Sequence, residues 1–375
     1  MRYALDERFQ FGATSVDGLY LRTRSALHAV TAEGDRRWVF DREDPGWPVV
    51  GPDTVYVPTG IVDQPYTGGP RSVTAVDAAS GDPNWTEELD DVPVGLYGAD
   101  ETGVYGGSHD DAVSPSGEHA FALDVAGGTR RWTVPCGDAF GGIVEGDALY
   151  VDASSRVYVF DTSSGDERWH RDLDPGVTDP RLVGDHLVVA DDGVHGLALE
   201  SGEAQWSVPD EDSFDVAGLA VDDASRVYAG GWDGTLRAVD ADDGTVAWRH
   251  TAGAERVERV RTDGRRTYAV HDGTILAVEG PDPAVRWRVT PDVDGPVEGV
   301  YTELAGGVLY ATVAVRTESA EWRRLVAYDA SSGDELWRSG RLDRVVTTPH
   351  DERLYVGVEE RLYAVSARKS LPDDA

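Results

Sequence analysis

The chain has 375 residues, with 69 acidic side chains against 34 basic ones and a formal net charge of −35. That charge repels phosphate backbones and weighs against nucleic-acid binding, and no apolar run reaches the roughly 18–20 residues that span a membrane. Eleven Trp and fifteen Tyr argue against disorder, while the single cysteine, Cys136, excludes an internal disulfide and a multi-cysteine metal site.

The start, MRYALDERFQ, has no apolar h-region. A cytoplasmic protein is therefore expected, with the cell surface as the alternative if the true start lies upstream. From there one pattern repeats. The first unit runs from Leu19-Tyr20-Leu21 through Gly34 to Trp38. The second has VYV at Tyr56, then TAVDAASGDPNW with Gly81 and Trp85. The third has Tyr105, Gly128 and Trp132, and the fourth Tyr150, Gly165 and Trp169, in the phrase VFDTSSGDERW. The fifth replaces the tyrosine triplet with LVV around Val188 and continues to Gly202 and Trp206. The sixth has Tyr228, Gly244 and Trp248. The seventh has Tyr268 and Trp287 but carries Pro283 where the others have glycine. The eighth has Tyr310, then AYDASSGDELW with Gly333 and Trp337. A ninth triplet, LYV at Tyr355, follows without a Trp. Successive Trp gaps are 47, 47, 37, 37, 42, 39 and 50 residues.

Short β-branched and aromatic runs bounded by Gly, Asp and Ser predict strands. Asp17-Gly18, Asp192-Gly193, Asp233-Gly234 and Asp272-Gly273 are tight-hairpin signals, because type I′ turns need positive φ. Each unit is thus a four-stranded antiparallel sheet: Tyr triplet on the second strand, Ala-x-Asp on the third, Trp on the fourth. Four short strands every ~40–45 residues, without helices, predict a β-propeller. Such sheets bury both faces only against neighbouring blades, so residues 1–375 are expected to form a single all-β domain. Eight Trp strands predict eight blades, closed by strands from both termini. The surplus triplet leaves a ninth blade or an extra edge layer open.

The recurring phrase resembles the pyrroloquinoline-quinone (PQQ) type repeat, Ala-x-Asp-x-x-(Ser/Thr)-Gly-x-x-x-Trp, over nearly the whole chain. The resemblance implies that Trp38, Trp85, Trp132, Trp169, Trp206, Trp248, Trp287 and Trp337 are docking residues. They would pack on the glycine turns of adjacent blades at Gly34, Gly81, Gly128, Gly165, Gly202, Gly244 and Gly333. The quinoprotein dehydrogenases of this fold use a vicinal disulfide, a calcium ion and a catalytic Asp, none of which can be matched here. No catalytic residue, cofactor or metal site is therefore expected. The chain is more similar to the non-enzymatic branch, the outer-membrane assembly lipoproteins that work by protein contacts, though it lacks their lipobox.

Other chemistries are weaker. Asp240-Ala-Asp242-Asp243-Gly244 resembles a calcium loop but has Thr251 at its twelfth position, so the ordinary blade turn is expected. The acidic run 210–215 is expected to be a solvated loop, and Cys136 a small buried residue. The Trp232-Asp233 pair lies in a hairpin turn instead of ending a strand, unlike a WD40 dipeptide.

Function is expected where the units are irregular. Extra residues separate the second and third strands in units two, three and eight: 59–72, 106–119 and 315–324. In an eight-blade ring units eight, one, two and three are consecutive, so these loops would raise one lip on one face. Trp322, Tyr66 and His109 lie in them, and Trp47 lies in a connection opening on the same face. This predicts a monomeric scaffold with a protein partner on the lip. A quinone-dependent oxidoreductase and a carbohydrate or other small-ligand sensor are the alternatives. Acidic residues recur in every blade and Lys369 stands alone among 34 basic residues, a composition expected of a halophilic, haloarchaeal-type protein.

Overall fold

A computed structural model describes residues 2–59, 71–89, 94–108, 119–137, 139–153, 156–173, 178–190, 193–209, 216–222, 225–253, 256–318 and 320–372. Among these residues the secondary structure is all β, in nine four-stranded sheets. The fold is a β-propeller of antiparallel four-stranded blades. Two compact units divide the chain: Tyr3–Pro175, with four whole blades, and Gly176–Ala375, with four whole blades and three strands of a ninth.

The strand assignment follows the repeat. In blade 2 the tyrosine triplet lies on Thr54–Thr59, Ala75-Val76-Asp77 on Arg71–Asp77 and Trp85 on Pro83–Leu89. The small alanine has a reason. It stands directly across from the Trp of its own blade, as in Ala29↔Trp38, Ala75↔Trp85, Ala122↔Trp132 and Ala277↔Trp287. In blade 5 even alanine is too large, because a Cβ on Gly196 would come within 2.1 Å of Trp206. The triplet tyrosine lies against the same indole, with ring centroids 5.7 Å apart for Tyr20–Trp38 and 5.8 Å for Tyr268–Trp287.

The rest of the phrase builds a turn that receives the indole of the preceding blade. The Asp77 carboxylate accepts hydrogen bonds from the Ala79 and Ser80 N–H groups at 3.0 and 2.8 Å, and Gly81 N–H donates to the Asp77 carbonyl. Gly81 then has φ +81°. Trp38 lies over it and donates its Nε1 hydrogen to the Ala78 carbonyl at 2.9 Å. Trp85, Trp132, Trp206 and Trp287 repeat the bond onto Val125, Thr162, Ala241 and Ala330. At Asp161 the Ser163 hydroxyl and then Arg168 hold the carboxyl far below the usual carboxylate range. Indole burial contributes about 2–3 kcal/mol per Trp, and the N–H bond about 1. The core consequently lies between blades: Tyr20, Leu27, Ala29 and Trp38 of blade 1 pack on Val55, Val57, Val76 and Ala78 of blade 2.

Counting tryptophans gives eight blades; the structure has nine. The ninth sheet has the order Arg2–Ala4, Arg361–Val365, Arg353–Val358, Val345–His350. Its fourth strand is the N-terminal RYA, which has no Trp to be counted. Trp337 of blade 8 docks on this sheet's turn, donating to the Ser366 carbonyl at 2.9 Å.

The expected loop at 315–324 is also corrected. Strands Val308–Arg316 and Glu321–Asp329 keep register out to Arg316↔Glu321, leaving only a short turn. The extra residues lengthen a hairpin because Val313, Val315 and Trp322 are apolar at the alternate positions that face the core.

Candidate functional site

In the second unit, the first strands of blades 6, 7 and 8 (Val216–Val221, Val257–Thr262 and Val297–Ala305) pack in sequence. Gly230 allows blade 7 to come close, because a Cβ there would lie 2.6 Å from the Val257 side chain. A cavity of about 450 Å³ opens at the ends of these strands, with Trp232, Arg256, Glu258, Arg259, Glu298 and Tyr301 on its walls.

Each wall residue is held by its local structure. Trp232 sits in the hairpin between Arg226–Gly231 and Thr235–Asp240, as the sequence places it. The Asp233 carboxylate fixes that turn. It accepts from Thr235 N–H at 2.8 Å and is paired at 3.2 Å with Arg237, whose side chain is buried. Gly234 adopts φ +75°, and its carbonyl accepts the Ala252 N–H at 2.9 Å. Trp232 is thereby left 53% exposed. The Arg256 guanidinium lies over its ring, 4.7 Å from the centroid, and pairs with Glu258 at 3.6 Å.

Tyr301, 50% exposed, has Arg259 over its ring at 4.3 Å. Deeper along the same two strands Arg261 lies 3.7 Å from Glu303. Burial pushes the Glu303 carboxyl up, with Arg261 and Arg259 opposing. Glu298 is closed by an ion pair with Arg316. Arg259 is different. It has no ion-pair partner among the described residues, and it lies over the tyrosine face within the field of Glu303.

Of the expected lip residues, Trp47 and Trp322 are among the described residues. Trp47, in the first unit, is 52% exposed, with Arg22 stacked at 4.4 Å. Its loop is pinned by Gly46 N–H to the Pro58 carbonyl at 2.7 Å. Tyr66 and His109 lie outside the described residues, as does the acidic run 210–215. Trp322 is 5% exposed in the core between blades 7 and 8, with Arg341 at 4.7 Å and Arg324 at 5.2 Å from its ring. A partner cannot reach it there. A ninth blade also removes the premise that units eight and one are neighbours.

Trp38, Trp85, Trp132, Trp206 and Trp287 lie on the glycine turns at Gly81, Gly128, Gly165, Gly244 and Gly333. Trp337, by contrast, docks at Ser366, on a turn without that glycine, and the ninth blade's fourth strand has no Trp to set on Gly34. All seven glycines have positive φ, from +69° at Gly202 to +95° at Gly34, and Trp169 and Trp248 are buried. Blade 7, which lacks the glycine, offers Trp248 no turn of this kind. The Asp240 loop is a blade turn, with Asp242 N–H bonded to the Asp240 carboxylate at 3.1 Å and Thr245 N–H to Asp243 at 2.8 Å. Cys136 is buried.

Tyr301 escapes a motif search because it sits in a first strand, outside both recurring phrases. A signal was nevertheless present. Residues 256–344 hold thirteen arginines against fifteen acidic side chains, so this stretch is nearly neutral in a chain of −35.

A family model described as outer membrane protein assembly factor BamB matches residues 116–217, 190–315 and 271–370. The chain belongs to this family of PQQ-like repeat propellers. No curated protein matches the sequence. Among solved structures, BamB from Moraxella catarrhalis superposes with a TM-score of 0.53 at 17% identity, covering 88% of this chain and 94% of that one. The computationally designed Ika8 protein gives 0.57 at 14% identity, covering 85% and 95%. Sqt1 from Chaetomium thermophilum, bound to the N-terminus of the ribosomal protein L10, gives 0.55 at 15% identity, covering 84% and 94%. At these identities the similarity is one of fold.

Proposed function

We propose that the chain is a non-catalytic scaffold that holds a protein partner at the Trp232–Tyr301 concavity, in the cytoplasm of a salt-accumulating cell. The observation that carries this reading is the pair of half-exposed aromatics on rigid sheet elements, each with one face already covered by an arginine. Aromatics and arginines of this kind dominate binding energy at protein interfaces. Covering each ring stabilises a complex by about 1.5–3 kcal/mol, at little entropic cost because the turn and strands are fixed. The Sqt1 propeller, bound to a chain terminus, offers a parallel for a peptide held on such a fold.

The test passes lysate of the source organism, in molar KCl, over immobilised wild-type protein and the double variant Trp232→Ala/Tyr301→Ala. Proteins held by the wild type should fall roughly tenfold or more on the variant, the loss expected at an interface hot spot. Identical sets retained by both would overturn the proposal.

A further inference from the structure

We infer that the concavity recognises an acidic peptide segment, with Arg259 taking a carboxylate of the partner while Trp232 and Tyr301 hold its apolar neighbours; this rests on the scaffold reading above. Three observations lead there. First, one cation on the walls is left over from the ion pairs. Glu258 is paired with Arg256 and Glu298 with Arg316, while Arg259 has no ion-pair partner among the described residues. A planar guanidinium lying on a tyrosine ring keeps its N–H edge free to bind a carboxylate with two parallel hydrogen bonds.

Second, the surroundings select by charge. Residues 256–344 hold thirteen arginines against fifteen carboxylates in a chain of −35, so a carboxylate brought into contact there meets arginine at close range and not an excess of acidic side chains. Third, the interaction suits high salt. Long-range attraction is lost when the Debye length falls to about 3 Å at 1 M, but a hydrogen-bonded fork flanked by desolvating rings acts at contact.

The test is an array of random octapeptides, with a glycan array in parallel, both probed in molar KCl. Wild type, Arg259→Gln, Arg259→Lys and Trp232→Ala/Tyr301→Ala are compared after matched melting curves. Retained peptides should be rich in aspartate and glutamate beside aromatic or aliphatic residues. Affinity for the best of them should fall roughly tenfold or more with Arg259→Gln, and recover in part with Arg259→Lys. Replacing glutamate by glutamine in that peptide should cost the wild type as much, a measurement that needs no variant to fold. Enrichment of basic or uncharged peptides, or an acidic set held equally by Arg259→Gln, would overturn the carboxylate assignment and leave the peptide scaffold standing. Capture on the glycan array alone would overturn both.

Discussion

A Cβ added to Gly165 would meet the ring of Trp132 at 2.7 Å, in a backbone held at φ +78°. Two costs therefore fall on Gly165→Ala: about 1–2 kcal/mol for a left-handed alanine and about 1–3 for the clash with a packed indole. Gly146 separates them, because its φ is +59° and nothing lies within 4 Å of the added atom. Gly146→Ala should lose only the backbone share. Denaturant midpoints measured in molar salt check the difference, and equal losses would mean that the indole yields freely. The same contrast explains what was legible. A docking glycine carries a fixed spacing to its Trp, so seven of them could be read from the chain. Tyr301 and Arg259 are made neighbours by the packing of two first strands, and no spacing encodes that. Trp322 misled for a related reason, since an aromatic in an insertion is exposed only if the insertion does not simply lengthen the hairpin.

At the scale of elements, strand order followed from the repeat because each letter of the phrase has one physical task. The number of blades did not, since the ninth sheet joins three C-terminal strands to a three-residue strand from the other end of the chain. The surplus triplet at Tyr355 was the signal of that sheet. Trp337 couples it to blade 8 through the Ser366 carbonyl, and the two share a core that includes Tyr310, Leu325, Leu354 and Val356. In a repeat protein such an interface term decides whether a terminal repeat opens separately. Trp337→Phe should cost about 1 kcal/mol, the indole hydrogen bond, and Trp337→Ala about 3–5. Hydrogen exchange in Arg353–Val358 and Arg361–Val365 should quicken before that of blades 6 and 7. Uniform quickening across the second unit would instead show that its blades unfold together.

For the whole molecule the dominant quantity is the charge, and its distribution sharpens what salt should do. Residues 256–344 contribute thirteen arginines and fifteen carboxylates, so nearly all of the −35 lies outside them. Many of those arginines are already in local pairs, such as Arg266 with Glu279 at 3.0 Å and Arg338 with Glu335 at 2.6 Å. Lowering the salt lengthens the screening distance from about 3 Å at 1 M to about 10 Å at 0.1 M, which lets uncompensated carboxylates on neighbouring turns repel one another. The expected result is a melting temperature that falls steeply as KCl is diluted below molar. Hydrogen exchange should rise first in the acidic blades and last in blades 7 and 8. Screening and salting-out are separable in the same experiment. A gain from screening levels off once the Debye length is shorter than the spacing between charges, whereas exclusion of salt from the surface keeps adding stability as concentration climbs. A curve that saturates near 1 M identifies self-repulsion as the cause, and a melting temperature independent of KCl would overturn the halophilic reading of the composition.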